Sequence, residues 1–168
     1  IAALGAELAF DPAGARCVVL GAGGAARAIA LGLGRAGAAE VAIVNRTSER
    51  AVEAAALVGA VGRAVRPEGV AEAVAGADLI VNATSVGMGP SGGVPLDVSL
   101  LDARHVVVDI VYRPLRTPLL EAARASGART ANGVSMLVHQ AAIAFSLWTG
   151  LDAPVEAMTA AVGSMLVD

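Results

Sequence analysis

A glycine-rich turn between an apolar run and a helical pattern constrains this chain more than any other feature. Arg16–Leu20 is a short apolar run, Gly21-Ala22-Gly23-Gly24-Ala25-Ala26 follows directly, and apolar residues then recur at helical spacing through Leu33. In this strand–turn–helix context, Gly21 permits a tight turn and Gly23 lets the backbone approach a pyrophosphate. The N–H groups and dipole at the start of the helix then hold the anion. The segment therefore predicts a dinucleotide-binding turn.

The rest of the chain alternates short apolar runs with helical patterns. Further strands are predicted at 40–44, 78–82 and 105–110. Helices are predicted at 23–34, at 48–58 with Ser48 as the N-cap, and from Pro118 with Thr117 as the cap. The predicted strands are continuously apolar, as parallel strands covered on both faces are, and 87–95 is a Gly/Pro-rich loop. This order indicates an α/β fold with a doubly wound, Rossmann-type sheet.

The end of the second predicted strand indicates which dinucleotide binds. Where an NAD site usually carries an Asp or Glu for the ribose hydroxyls, this chain has Asn45-Arg46-Thr47-Ser48-Glu49-Arg50. No carboxylate stands at the strand end to repel a 2′-phosphate, and two guanidinium groups lie within one turn. Arginine at a helix start opposes the helix dipole, so it is not a stabilising choice there. We therefore predict NADP(H) rather than NAD(H).

Composition excludes several classes of protein. The chain has 168 residues, room for about one domain, and its 56% hydrophobic and 16% charged residues exclude disorder. The net charge of -3 argues against binding nucleic acid. A single cysteine, Cys17, rules out a disulfide framework and suits a reducing cytoplasm. All the basic residues are arginines, so these residues cannot complete a mechanism that needs lysine. We predict no metal site.

The last part of the chain is strongly apolar, yet it does not read as a membrane span. Its uncharged run from Arg129 to Asp152 contains Asn, His, Gln, Thr and Gly, and we predict no signal peptide. Between Gly133 and Trp148 one stripe holds Met136, Gln140, Ile143 and Leu147, and another holds Leu137, Ala141, Ala144 and Trp148. A helix that is apolar on both sides must be buried on both sides. We expect another domain or a second subunit to cover it, which leaves a homodimer open.

Five motifs, in order, give the chain a family resemblance. They are Gly-Ala-Gly-Gly-Ala-Ala, Asn-Arg-Thr-x-x-Arg, Asn82-Ala-Thr-Ser-Val-Gly-Met88, Asp109-Ile-Val-Tyr112 with Thr117-Pro-Leu-Leu120, and Gly133-Val-Ser-Met-Leu-Val-His-Gln140 followed by Phe145, Trp148 and Gly150. Together they resemble the C-terminal half of shikimate dehydrogenases, over essentially the whole chain. The family reduces 3-dehydroshikimate to shikimate with NADPH. The resemblance implies a mainly parallel, six-stranded sheet and C-terminal helices that pack on an N-terminal domain absent from this sequence.

The resemblance also implies site roles. Cofactor contacts fall on the diphosphate turn, the 2′-phosphate clamp, the adenine and ribose segment and the nicotinamide pocket: Gly21, Ala22, Gly23, Gly24, Ala25; Asn45, Arg46, Thr47, Arg50; Thr84, Ser85; Ile110, Gly133, Met136. Tyr112 and Gln140 match substrate-contacting positions, although a buried amide satisfied by backbone is an alternative for Gln140. His139 lies outside the pattern, and we interpret it as a structural or surface histidine.

The departure from the family is a missing half. The resemblance implies that 1–14 ends an interdomain helix, 15–132 is the NADP-binding domain, and 133–168 crosses back to the substrate domain. The catalytic Lys–Asp pair would lie in that domain, so no catalytic residue is predicted here. The chain opens on Ile1 in a helical pattern, which favours part of a longer cytoplasmic enzyme. A non-catalytic NADP(H)-binding module and a quinate or aminoshikimate dehydrogenase remain alternatives.

Overall fold

The computed structural model describes residues 1–89 and 92–165, and within them the chain forms one parallel sheet flanked by helices. Pro90 and Ser91 of the predicted 87–95 loop, and residues 166–168 of the predicted C-terminal segment, lie outside the described residues. The strands are β1 (Arg16–Leu20), β2 (Glu40–Val44), β3 (Gly62–Val65), β4 (Leu79–Asn82), β5 (Val106–Asp109) and β6 (Arg129–Ala131). The α-helices are α1 (Ala2–Leu8), α2 (Gly24–Arg35), α3 (Ser48–Ala56), α4 (Val70–Ala75), α5 (Pro118–Ala125), α6 (Val134–Thr149) and α7 (Val155–Met165), with short 3₁₀ turns at Gly59–Val61, Pro67–Gly69 and Val98–Leu100.

The strand order is β3-β2-β1-β4-β5-β6, and every adjacent pair is parallel. This confirms the predicted Rossmann-type sheet. The chain reverses its winding direction between β1 and β4, and ligands of such sheets bind outside the carboxyl ends of the strands at that point. Leu20 of β1 pairs with Val44 of β2 and with Asn82 of β4, so the three strands end at one level.

Two apolar clusters, one on each face of the sheet, explain why apolar and polar residues do not alternate along the strands. One cluster joins α1, α2 and α3 to the sheet through residues such as Leu33 and Ile43. The other joins α4 and α5 through Val74 and Leu120. Val18 and Val19 are both buried yet belong to different clusters, because successive side chains of a strand point to opposite faces.

The predicted element boundaries lie close to the observed ones and differ from them in two ways. The expectation of Ser48 as the N-cap of α3 is wrong: Thr47 occupies that position, and its side chain makes no capping hydrogen bond. The predicted strands at 78–82 and 105–110 are shorter in the structure, beginning at Leu79 and Val106. The Thr117 cap is confirmed, because its hydroxyl accepts from the Leu120 N–H at 3.3 Å. Among the described residues, none of the helices has the length and hydropathy needed to cross a bilayer.

Candidate dinucleotide-binding site

The turn after β1 has the geometry that its glycines predict. Gly21 adopts φ +110°, and a Cβ there would lie 2.9 Å from the Ala83 carbonyl oxygen, so both the conformation and the close approach require glycine. Gly23 and Gly24 are exposed, and a Cβ on either would meet no atom within 4 Å. The protein itself therefore has no steric need for glycine at these two positions. An open, glycine-lined cradle at the start of α2 fits a dinucleotide diphosphate, since the first N–H groups of a helix lack intrahelical acceptors.

One arginine fastens this turn to its surroundings. The Arg27 Nε donates to the Ala22 carbonyl at 3.1 Å, and its terminal nitrogen lies 2.7 Å from a Glu53 carboxylate oxygen on α3. The ion pair is half-exposed, so its contribution to stability is small. Its geometric effect is to link the diphosphate turn to α3, the helix that begins at the predicted 2′-phosphate clamp.

The predicted clamp lies open to solvent at the carboxyl end of β2. Arg46, Thr47 and Arg50 are exposed, and the Asn45 amide donates to the Thr47 carbonyl at 2.9 Å, which shapes the turn before α3. Arg66 follows β3, whose last residue pairs with the last residue of β2, so it stands at the same edge of the sheet. The sequence did not single out Arg66, because the short strand β3 gave no clear apolar signal. This edge concentrates exposed guanidinium groups, as an anionic ligand requires.

A buried polar network closes the carboxyl ends of β4 and β5. Asn82, Asp109 and Thr117 are each 0% exposed. The Asn82 Nδ2 donates to Asp109 Oδ1 at 2.9 Å, and the Thr117 hydroxyl donates to Asp109 Oδ2 at 2.7 Å. Burial raises the pKa of Asp109, and the hydrogen bonds from Thr117, Val111 and Asn82 oppose that shift without cancelling it. Sequence reasoning gave Asn82 and Asp109 no site role and predicted Thr117 only as a helix cap, although polar side chains at the ends of buried strands were a usable signal.

The predicted adenine and ribose segment is attached to this network. The Asn82 Oδ1 accepts from both the N–H and the hydroxyl of Thr84, at 3.0 and 2.7 Å. Thr84 also lies against the diphosphate turn, since its methyl would be 3.2 Å from a Cβ at Gly21. The structure thus brings Thr84 beside Gly21, as a shared cofactor site needs. Ser85, the next residue, is exposed.

An apolar cavity of about 290 Å³ is lined by two of the three residues predicted to surround the nicotinamide. Ile110, Met136 and Gln140 line it together with His139 and residues of α1 and α2. Gly133 packs so closely on the Ile110 carbonyl that no Cβ would fit there, and its N–H donates to the Val111 carbonyl at 3.1 Å. Position 133 therefore requires glycine, because the start of α6 packs directly on the residues that follow β5.

The two predicted substrate residues differ in their surroundings. Tyr112 is 43% exposed on the segment after β5. Gln140 is also exposed, and its amide donates to the Leu137 carbonyl at 3.1 Å. Gln140 is therefore no buried amide in this chain, although it does have a backbone partner. His139 is partly buried on the cavity wall, and its interpretation as a structural or surface residue stays a prediction.

Comparison with known proteins places the chain in a family. The family model for shikimate / quinate 5-dehydrogenase matches residues 5–88, which is half of the chain, and the model for the shikimate 5′-dehydrogenase C-terminal domain matches residues 133–162. The chain belongs to the shikimate/quinate 5-dehydrogenase family. A shikimate dehydrogenase (NADP(+)) of Methanopyrus kandleri is 47% identical over 95% of this chain and 58% of its own length.

Solved structures of this family share the fold. The quinate dehydrogenase of Corynebacterium glutamicum in complex with NAD has a TM-score of 0.87 and 38% identity, over 97% of this chain and 59% of that one. The shikimate 5-dehydrogenase of Thermus thermophilus in complex with NADP(H) and shikimate has a TM-score of 0.83 and 42% identity, over the same shares. The chain thus spans somewhat over half the length of the relatives it matches.

Proposed function

We propose that this chain is the NADP(H)-binding half of an enzyme that reduces 3-dehydroshikimate to shikimate. The proposal rests on the carboxyl edge of β1 and β2. An open glycine cradle follows β1, and exposed arginines follow β2, with no carboxylate at the end of that strand. The diphosphate fits the first and a 2′-phosphate the second. When bound, NADPH supplies the hydride that the ketone carbon accepts.

The residues of this chain bind and orient the cofactor. The free N–H groups at the start of α2 hold the diphosphate. Arg46 and Arg50 hold the 2′-phosphate through charge-assisted hydrogen bonds, and Asn45 and Thr47 shape that turn. Ile110 and Met136 form an apolar wall that excludes water from one face of the nicotinamide. Tyr112 and Gln140 reach toward the substrate from the segment after β5 and from α6.

The ketone oxygen must also receive a proton, and we propose that its donor lies on a separate domain of the same polypeptide. Residues 1–14 then end the helix that leads out of that domain, residues 15–132 bind NADP(H), and residues 133–168 cross back to it. Four large apolar side chains on and after α6 support this arrangement: Ile143 is 63% exposed, Leu147 78%, Trp148 86% and Leu151 64%. Isolated exposed apolar residues are ordinary, but four large ones between residues 143 and 151 indicate an interface. A homodimer through the same face is the competing arrangement.

The cofactor assignment is tested by titrating the chain with NADPH and NADH and following nicotinamide fluorescence. Arg46→Ala should weaken NADPH binding about tenfold or more and leave NADH binding nearly unchanged, because the two cofactors differ in the 2′-phosphate. Arg35→Ala, an exposed arginine at the far end of α2, is the matched control and should leave both affinities unchanged. Equal losses for NADPH and NADH in Arg46→Ala would show that Arg46 is structural.

The domain assignment is tested by activity. The 168-residue chain should bind NADPH without consuming it when 3-dehydroshikimate is added. Its sequence has no lysine to protonate the ketone oxygen. Fusing the N-terminal domain of the Methanopyrus kandleri relative ahead of Ile1 should restore NADPH consumption. Gln140→Ala in that fusion should then lower turnover and leave NADPH affinity unchanged.

Two outcomes would replace this proposal. Turnover by the unfused chain would mean that Tyr112 or His139 supplies the proton. No turnover in the fusion, with intact NADPH binding, would favour a non-catalytic NADP(H)-binding module.

Quinate is the second candidate substrate, favoured by the similarity to a quinate dehydrogenase. Faster oxidation of quinate than of shikimate by the fusion would select it. We place the enzyme in the cytoplasm, where the free thiol of Cys17 would stay reduced.

A further inference from the structure

The Asp109 carboxylate stands at the meeting point of three segments that face the proposed cofactor. The first is the loop 83–88, which carries Thr84 and Ser85. The second is the segment 110–117, which carries Ile110 and Tyr112. The third is the start of α6, which carries Met136 and Gln140. All three leave the sheet at the ends of β4, β5 and β6. The N–H groups of Ala83 and Ile110 still donate to the Leu20 and Asn82 carbonyls at 2.9 and 3.0 Å, and strand pairing does not set the residues beyond them.

The loop 83–88 is tied to Asp109 through Asn82. The Asn82 Nδ2 donates to Asp109 Oδ1 at 2.9 Å and to the Val86 carbonyl oxygen at 3.1 Å. The Asn82 oxygen accepts from Thr84, whose hydroxyl in turn accepts from the Val86 N–H at 3.1 Å. The orientation of the Asn82 amide therefore fixes the loop, and Asp109 fixes that orientation by accepting from its nitrogen.

The segment 110–117 is tied to Asp109 at both ends. The Val111 N–H donates to Asp109 Oδ1 at 3.1 Å, and the Thr117 hydroxyl donates to Oδ2 at 2.7 Å. Both bonds span few residues, so they close the segment into a loop with Tyr112 on its outer side. Thr117 also lies beneath the first loop, since a Cβ on Gly87 would be 3.5 Å from the Thr117 Cβ.

The start of α6 is tied to the same centre through Val111. The Val111 carbonyl accepts from the Gly133 N–H at 3.1 Å, and the Asn132 amide reaches the Leu115 carbonyl at 3.4 Å. A shift of the segment 110–117 would therefore shift the first turn of α6, on which Met136 lies.

We infer that Asp109 is a positioning residue that sets loop 83–88, segment 110–117 and the start of α6 relative to one another, and so shapes the nicotinamide side of the cofactor site. The consequence for binding rests on the proposed NADP(H) function, whereas the positioning itself does not. Asp109 touches neither cofactor nor substrate in this arrangement, because it is completely buried beneath the two loops. Its effect is transmitted through Asn82, Val111 and Thr117.

The test uses amide hydrogen exchange, resolved by residue, on the free chain and three threonine variants. Thr117→Val keeps the shape of the side chain and removes the hydroxyl, which donates to Asp109 and also accepts from the Leu120 N–H as the cap of α5. It should speed exchange of the Thr84 and Val86 amides about tenfold, although Thr117 makes no hydrogen bond to them. Thr117→Ser restores the hydroxyl and should restore slow exchange. Thr130→Val, which removes a hydroxyl that accepts from Arg124 at 2.9 Å, is the matched control.

Asp109→Asn should give the same pattern as Thr117→Val, and NADPH titration should show an affinity about fivefold or more below the parent in both. Unchanged exchange at Thr84 and Val86 in these variants overturns the inference. An equal increase at core amides such as Val19 also overturns it, because the network would then only stabilise the fold. Locally faster exchange with parent-like NADPH affinity would overturn the effect on the cofactor site. If the parent itself does not bind NADPH, the proposed function fails, and the exchange pattern alone decides the positioning.

Discussion

The substitution Gly23→Ala tests whether position 23 requires glycine for ligand binding or for the fold. Gly23 is the N-cap of α2 with φ −77° and ψ −175°, an extended conformation open to any residue, and its absent Cβ would meet no atom within 4 Å. Alanine is a poorer N-cap than glycine by a few tenths of a kcal/mol or more. Loss of chain entropy in the unfolded state offsets this by about 0.4–1 kcal/mol. The free energy of unfolding should therefore change by less than about 1 kcal/mol.

NADPH binding should respond quite differently to Gly23→Ala. The new methyl group stands where the diphosphate approaches the N–H groups of α2, so at least one charge-assisted hydrogen bond is lost. Such a bond contributes roughly 1.5–3 kcal/mol, which corresponds to about 10- to 150-fold in Kd. Fluorescence titration measures the affinity and urea unfolding the stability. Gly163→Ala on α7, also without neighbours within 4 Å, is the control and should leave NADPH binding unchanged. Parent-like affinity in Gly23→Ala would refute the placement of the diphosphate at this turn.

Three further predictions test the structural account. Gly21→Ala should lower the free energy of unfolding by roughly 1–3 kcal/mol, seen as a lower Tm, because φ is +110° and the new Cβ meets the Ala83 carbonyl. The Cys17 thiol, buried and with its pKa raised to about 12, should react with a disulfide reagent only after unfolding, so rapid reaction of the native chain would contradict its burial. Folded Asp109 has a raised pKa, so its contribution to stability is complete below the unfolded pKa of about 3.9 and is lost as pH rises through the folded pKa. In urea unfolding, the parent should accordingly lose stability relative to Asp109→Asn across that window, and a pH-independent difference would contradict the burial of the carboxyl.

The parts of the fold that the sequence predicted well are those governed by short-range patterns. β1 and β2 were predicted at their observed bounds, because each is a five-residue apolar run ended by a polar or glycine-rich turn. The start of α5 was also predicted, from a cap and a proline that act within one turn of helix. β3 and β6 are only four and three residues long and partly exposed, so their apolar signal is weak, and they were expected only through the family resemblance.

The parts of the site that the sequence left without a role depend on contacts between strands. Asn82 and Asp109 are 27 residues apart, and they meet because the register pairs the ends of β4 and β5 directly. Sequence periodicity carries no information about which parallel strands are neighbours or how they are aligned. The glycine cradle, by contrast, is a local feature, because its six residues are consecutive in the chain. A local motif can thus predict dinucleotide binding, whereas the buried network around Asp109 is assembled only by the folded sheet.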